Sequence, residues 1–163
     1  MIAPKRVLAY ATFVVALVLT MTNARMSAQA ADPFTGAWKL DVVKSKFTPG
    51  PAPKSGAVTF TTAPTGFRAV IEGVGPKDEK VRWEYTGNYD GKDYPVKGNP
   101  DGDSISVKRI NANTVETTLK KAGKPTVINT RTVSADGKTL TVVTKGTDAQ
   151  GATVHNVQVF EKG

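Results

Sequence analysis

From about residue 35 onward, apolar and polar residues alternate with a period of two, and turn chemistry interrupts the alternation about every ten residues. Val81, Trp83 and Tyr85 share one face of an extended stretch while Arg82, Glu84 and Thr86 take the other, and Ile105 and Val107 are set against Ser104, Ser106 and Lys108 in the same way. The interruptions read APTG, GVGPKD, NYDGKD, GNPDGD, NAN, KAGKP, SADGK and TDAQG. Asp-Gly is the strongest signal among them, because tight hairpin turns need a positive φ that Gly and Asx residues tolerate. Ten strands are predicted, at about 35–42, 56–63, 66–73, 79–88, 91–97, 103–110, 113–121, 124–134, 138–146 and 153–162. Their enrichment in Thr and Val fits a pleated, half-buried surface. No window carries a helical period, and the one long connection, Val43 to Ser55, contains Pro49, Pro51 and Pro53, which a stable helix would not accept. The fold class is therefore all-β. Short loops between sequential strands give an antiparallel meander, which must curl into a barrel or fold over as two sheets to remove its exposed edges.

The first 30 residues do not follow this rhythm. Lys5 and Arg6 precede an uncharged run, Val7 to Met21, of about fifteen residues, which is shorter than the roughly twenty that span a bilayer. Ala28-Gln29-Ala30 then supplies a small-x-small pattern, so residues 1–30 are expected to be a signal peptide cleaved after Ala30. Residues 31–163 are expected to form a single domain, exported to a periplasm or secreted. With no Cys, neither a disulfide nor a thiolate metal site can form. Lys5, Arg6 and Arg25 belong to the leader, which leaves 19 basic residues against 14 acidic ones, a net charge of +5 instead of +8. These Lys residues are scattered and not gathered among aromatics, so nucleic acid is not an expected partner; weak contact with an anionic surface is the most the charge implies. A monomer is expected.

Two end motifs sharpen this picture. Phe34-Thr35-Gly36-Ala37-Trp38-Lys39-Leu40 opens the strand series and Val157-Gln158-Val159-Phe160-Glu161-Lys162-Gly163 closes it. Together with the ten strands they resemble the calycins, the lipocalins and fatty-acid-binding proteins, and in particular small exported bacterial proteins described as lipocalin-like. The resemblance implies a lipocalin-like barrel in which Gly36 and Trp38 are structural, with the indole plugging the closed end. It also implies an interior ligand. The carboxylate-binding Arg and Tyr of the fatty-acid-binding branch would fall on Gln158 and Phe160, neither of which makes a charged or phenolic clamp. The helical lid of that branch is replaced by Lys44 to Ser55, KSKFTPGPAPKS, which implies an open mouth or a partly unfilled interior.

The candidate ligand-binding residues are Phe60, Trp83, Tyr85, Tyr94, Arg131, Gln158 and Phe160. The aromatics would line a largely apolar cavity or, alternatively, simply fill the core. If the family register holds, Asn156, Gln158 and Phe160 point inward. Arg131 shares a face with Val127 and Val133, so it would hold an anionic group, stack over Trp38 or face solvent. Chemistry of other kinds finds little support. His155 is the only His, and Asn99, Asp101 and Asp103 lack the Gly placement and the twelfth-position Glu of a calcium loop, so no metal or cofactor is expected. No nucleophile motif or phosphate loop is present, which leaves an enzyme as the least supported class. The expected function is binding or carriage of a small apolar or amphipathic ligand. A structural envelope module with a filled core is the alternative.

Overall fold

The computed structural model describes residues 31–148 and 151–163. The proposed leader, residues 1–30, lies outside the described residues. Ten strands follow in order: β1 (Gly36–Lys46), β2 (Ser55–Ala63), β3 (Gly66–Val74), β4 (Lys80–Gly87), β5 (Asp90–Lys97), β6 (Ser104–Asn111), β7 (Thr114–Lys121), β8 (Lys124–Val133), β9 (Thr139–Thr147) and β10 (Thr153–Lys162). Each pairs antiparallel with its sequence neighbours, and β1 pairs with β10 to close a ten-stranded barrel with no free edge strand.

Alternation fixes the inward faces. Leu40 lies opposite Phe160, Phe160 opposite Leu140, and Leu140 opposite Val133, so one continuous interior row crosses β1, β10, β9 and β8. A second row runs Ile105, Leu119, Val127 across β6, β7 and β8. Sliding any one of these strands by a single residue would turn its apolar set out to solvent, and this holds the register.

β1 is longer than its alternation suggests. Between Asp41 and Lys46 its pairing with β10 shifts, the Ser45 hydroxyl donating to the Asp41 carbonyl (2.6 Å) and accepting from the Val159 amide (3.0 Å). This bulge pushes Val43 out to 95% exposure, hiding the strand from a simple inward-outward count. The β4–β5 junction is the weakest in the barrel, with only Glu84 opposite Lys97 and Tyr85 opposite Val96.

Because the strands alternate in direction, the loops fall at two ends. The connections after β2, β4, β6 and β8 lie with residues 31–35 at one end, called the floor here. The connections after β1, β3, β5, β7 and β9 surround the other, called the mouth.

Candidate functional site

The floor is closed by aromatic packing. Trp38 is 1% exposed, and its indole Nε1 donates to the Phe34 carbonyl at 2.8 Å, satisfying the one polar atom of the ring. Phe34 meets Phe60 edge-on at 6.2 Å, Phe60 meets Phe67 at 6.0 Å, and Phe67 stacks on Tyr89 at 4.7 Å. The Arg109 guanidinium lies 3.7 Å from the Tyr89 ring centroid and donates to Asp32 Oδ2 at 2.9 Å, while the Tyr89 hydroxyl donates to the same oxygen at 2.5 Å. Burial, reinforced by the Asp32 carboxylate, pushes the Tyr89 hydroxyl far above its ordinary pKa, so the ring stays neutral. Lys162 covers the Trp38 indole at 4.9 Å. A cation does therefore stack on Trp38, but it is Lys162 and not Arg131. Gly36, at φ 124°, occupies the left-handed side of backbone space, and a Cβ there would meet Lys162 Cε at 3.2 Å.

Above this plug the interior opens. A cavity of about 390 Å³ reaches the mouth, where Pro53, Gly75, Asn99, Asp101 and Asp148 edge it. Its base is marked by Arg131. This side chain is 6% exposed, crosses from β8 to β4 to donate from Nη1 to the Tyr85 hydroxyl at 2.7 Å, and places its guanidinium 5.7 Å from the Phe60 ring centroid. Both contacts are to neutral groups. Among the described residues no carboxylate pairs with Arg131, although buried charges ordinarily have a counter-ion.

The cavity walls differ in chemistry. On the β1–β4 side they are apolar, contributed by Leu40, Val58, Phe60, Ile71 and Trp83. Near the mouth on this side the inward positions Gly56 and Gly73 carry no side chain, and a Cβ on Gly73 would fall 2.6 Å from the Ser55 carbonyl oxygen. On the β8–β10 side, Asn129, Arg131, Thr144, Asn156 and Gln158 form a polar band, with Val127 and Val154 toward the mouth and Leu140 and Phe160 toward the floor. Within the band, Asn129 Nδ2 donates to the Thr117 hydroxyl at 3.1 Å and the Thr144 hydroxyl donates to Asn129 Oδ1 at 2.7 Å. Asn156 Oδ1 accepts the Thr48 backbone amide at 2.9 Å, and the His155 amide donates to the Thr48 carbonyl at 2.7 Å. These two bonds tie the proline-rich loop to the start of β10 beside the mouth.

The residues singled out from the sequence thus separate. Phe60, Trp83, Arg131, Gln158 and Phe160 come together on the cavity wall. Tyr85 lies beneath it, 3% exposed, edge-on to Phe67 at 5.8 Å and stacked on Trp83 at 6.0 Å, and meets the cavity only through its bond to Arg131. Tyr94 does not line the cavity. Its ring covers Gly87, where a Cβ would come within 3.1 Å, and its hydroxyl donates to Asp90 Oδ2 at 3.0 Å, so it seals the poorly paired β4–β5 junction. Asn129 and Thr144 were not among the sequence candidates, yet alternation carries the signal: Asn129 falls between Val127 and Arg131 on one face, and Thr144 follows Leu140 and Val142.

No protein-family model matches the chain, and no curated protein matches it. Among solved structures it is similar to a redesigned β-barrel, mFAP1, bound to DFHBI, with 14% identity, coverage of 83% of this chain and 100% of that one, and a TM-score of 0.48. It is also similar to a zebrafish ileal bile-acid-binding protein complexed with cholic acid, with 13% identity, coverage of 80% and 99%, and a TM-score of 0.48.

Proposed function

We propose that this protein binds a small amphipathic molecule in the mouth-side half of its barrel, with an acidic group of the ligand set against Arg131. The observation that carries the reading is a buried guanidinium at the base of an open cavity, held among the described residues by a phenol and an aromatic face. A cation removed from water without a counter-ion is costly, and a bound anion would relieve that cost while supplying charge-assisted hydrogen bonds. The apolar wall gives the remainder of the ligand a surface on which to bury itself, and the cavity volume suits a molecule of lipid or small polycyclic size. Binding of this kind fits the export proposed for residues 31–163, placing a small-molecule carrier outside the cytoplasm. A structural module with a filled core agrees less well with an interior that is packed at the floor and hollow above it.

The test is displacement of the anionic dye 1-anilinonaphthalene-8-sulfonate by dodecanoate and by dodecanol, which share a chain and differ in charge. The acid is expected to displace the dye at about tenfold lower concentration than the alcohol. Arg131→Met should remove that preference, acid and alcohol then displacing the dye at similar concentrations. Equal displacement by acid and alcohol in the unmodified protein would overturn the role of Arg131, and no dye binding at all would overturn the reading.

A further inference from the structure

The division of the cavity into two chemically different walls says more about the ligand than its charge does. An acid with one polar head and a wholly apolar tail would use Arg131 and then lay its tail along Asn129, Thr144, Asn156 and Gln158, groups that gain nothing from it. We infer, on the basis of the binding function proposed above, that the ligand is a rigid, mainly cyclic acid with further hydrogen-bonding groups along one edge, and that the polar band on β8–β10 selects for that edge.

Three observations carry this. First, the band is concentrated on one side: the wall from β1 to β4 contributes Leu40, Val58, Ile71 and Trp83 at the same cavity and no inward polar side chain among them. Second, the band is ordered in rows by strand pairing. Asn129 pairs with Thr144, and Thr144 with Asn156; one step nearer the floor, Arg131 pairs with Val142, and Val142 with Gln158. Residues two apart along a strand are separated by about 6.7 Å, so the Asn129 row offers polar groups about one such step mouthward of the Arg131 row. Third, the band keeps unused capacity. Among the described residues, Gln158 has no side-chain partner and the Asn156 amide nitrogen makes no hydrogen bond. An Asn or Gln side chain offers two N–H donors and a carbonyl acceptor. Half-buried amides facing a cavity with donors to spare favour a ligand carrying hydroxyl or carbonyl groups, and penalise one that covers them with methylene groups.

The fixed spacing of the rows favours a rigid skeleton, because a flexible chain would lose conformational freedom to hold its polar groups at that separation. The anionic end then sits on Arg131, the polar edge runs mouthward past Gln158, Asn129 and Asn156, and the apolar face rests on Ile71, Trp83 and Leu40.

The test uses three acids as competitors for the same dye: palmitate, which is linear; kaurenoate, a rigid tetracyclic carboxylate; and steviol, which is kaurenoate with one added hydroxyl. Steviol is expected to bind about five- to tenfold more tightly than kaurenoate and than palmitate, the gain of one hydrogen bond to a half-buried amide. In the Gln158→Leu, Thr144→Val double variant the ratio of steviol to kaurenoate affinity should fall to about one. The denaturant midpoint of the variant, read apart from any ligand, serves as the folding control. Steviol and kaurenoate binding alike in the unmodified protein, or palmitate binding most tightly, would overturn the edge-selective band while leaving the acid-binding function in place. Failure of all three acids to displace the dye would overturn that function and this inference with it.

Discussion

The two halves of the barrel are built from the same alternation but meet opposite requirements. At the floor, each large side chain has its partner within the protein. The Trp38 indole is bonded to Phe34, Tyr89 and Arg109 share the carboxylate of Asp32, and the rings of Phe34, Phe60, Phe67 and Tyr89 pack edge-on or stacked. Around the cavity, among the described residues, Arg131 has neutral partners only and Gln158 has no side-chain partner. The Arg131–Tyr85 hydrogen bond is the boundary. Below it the fold is stabilised by filling space; above it, space is left open and polar capacity unspent. Stability and recognition are therefore separable here, and substitutions should sort by the half they fall in.

The comparison is most exposed to Trp38→Ala. Removing the indole from a site with 1% exposure should lower stability by roughly 3–5 kcal/mol, read as a lower denaturant midpoint at unchanged slope. A smaller loss, below about 1 kcal/mol, would mean that the floor is not where the fold is held. Arg109→Met comes next. It removes a charge-assisted bond to Asp32 and the cation over Tyr89, and a cost of about 2 kcal/mol is expected after allowing for the partial exposure of both side chains, 29% and 28%.

Tyr89 gives the comparison a pH dependence. Its folded-state pKa is raised above the unfolded value near 10, so the unfolded chain loses its phenolic proton first. The stability this group contributes is complete below about pH 10 and falls as the pH rises beyond it. In Tyr89→Phe the decline in thermal midpoint between about pH 9.5 and 11 should be shallower, with a loss of about 1 kcal/mol at neutral pH from the missing hydrogen bond. An unchanged alkaline slope would separate Tyr89 from the floor network. Smallest of all should be Gln158→Ala, at under about 0.5 kcal/mol, because the side chain has no partner to lose among the described residues. A loss as large as that of Arg109→Met would show that the mouth half also carries the fold.

Much of the architecture was legible because strand alternation and Asp-Gly turns are local signals. Trp83 and Tyr85 do share an inward parity with Val81, although Val81, nearest the mouth, is 38% exposed, and Ile105 and Val107 are fully buried. The extra length of β1 was not legible, since the bulge held by Ser45 interrupts the period that would have revealed it. Nor was the floor network: Asp32, Tyr89 and Arg109 are polar or loop-borne residues whose convergence depends on closure of the barrel. Arg131 illustrates the middle ground. Its parity with Val127 and Val133 was visible, but whether that face was inside could be settled only by the ring of neighbours that the closed sheet supplies. Tyr94 had inward parity too, and the sparse pairing between β4 and β5 turned it to sealing a junction instead.

The chain contains two tryptophans, one in each half, and this allows a direct test of the division. In a proton–nitrogen correlation spectrum, each indole N–H gives its own signal. Titration with dodecanoate is expected to shift the Trp83 indole, on the cavity wall, and to leave the Trp38 indole, bonded to Phe34 beneath the Arg131–Tyr85 boundary, in place. Movement of the Trp38 signal with a stationary Trp83 would contradict the account.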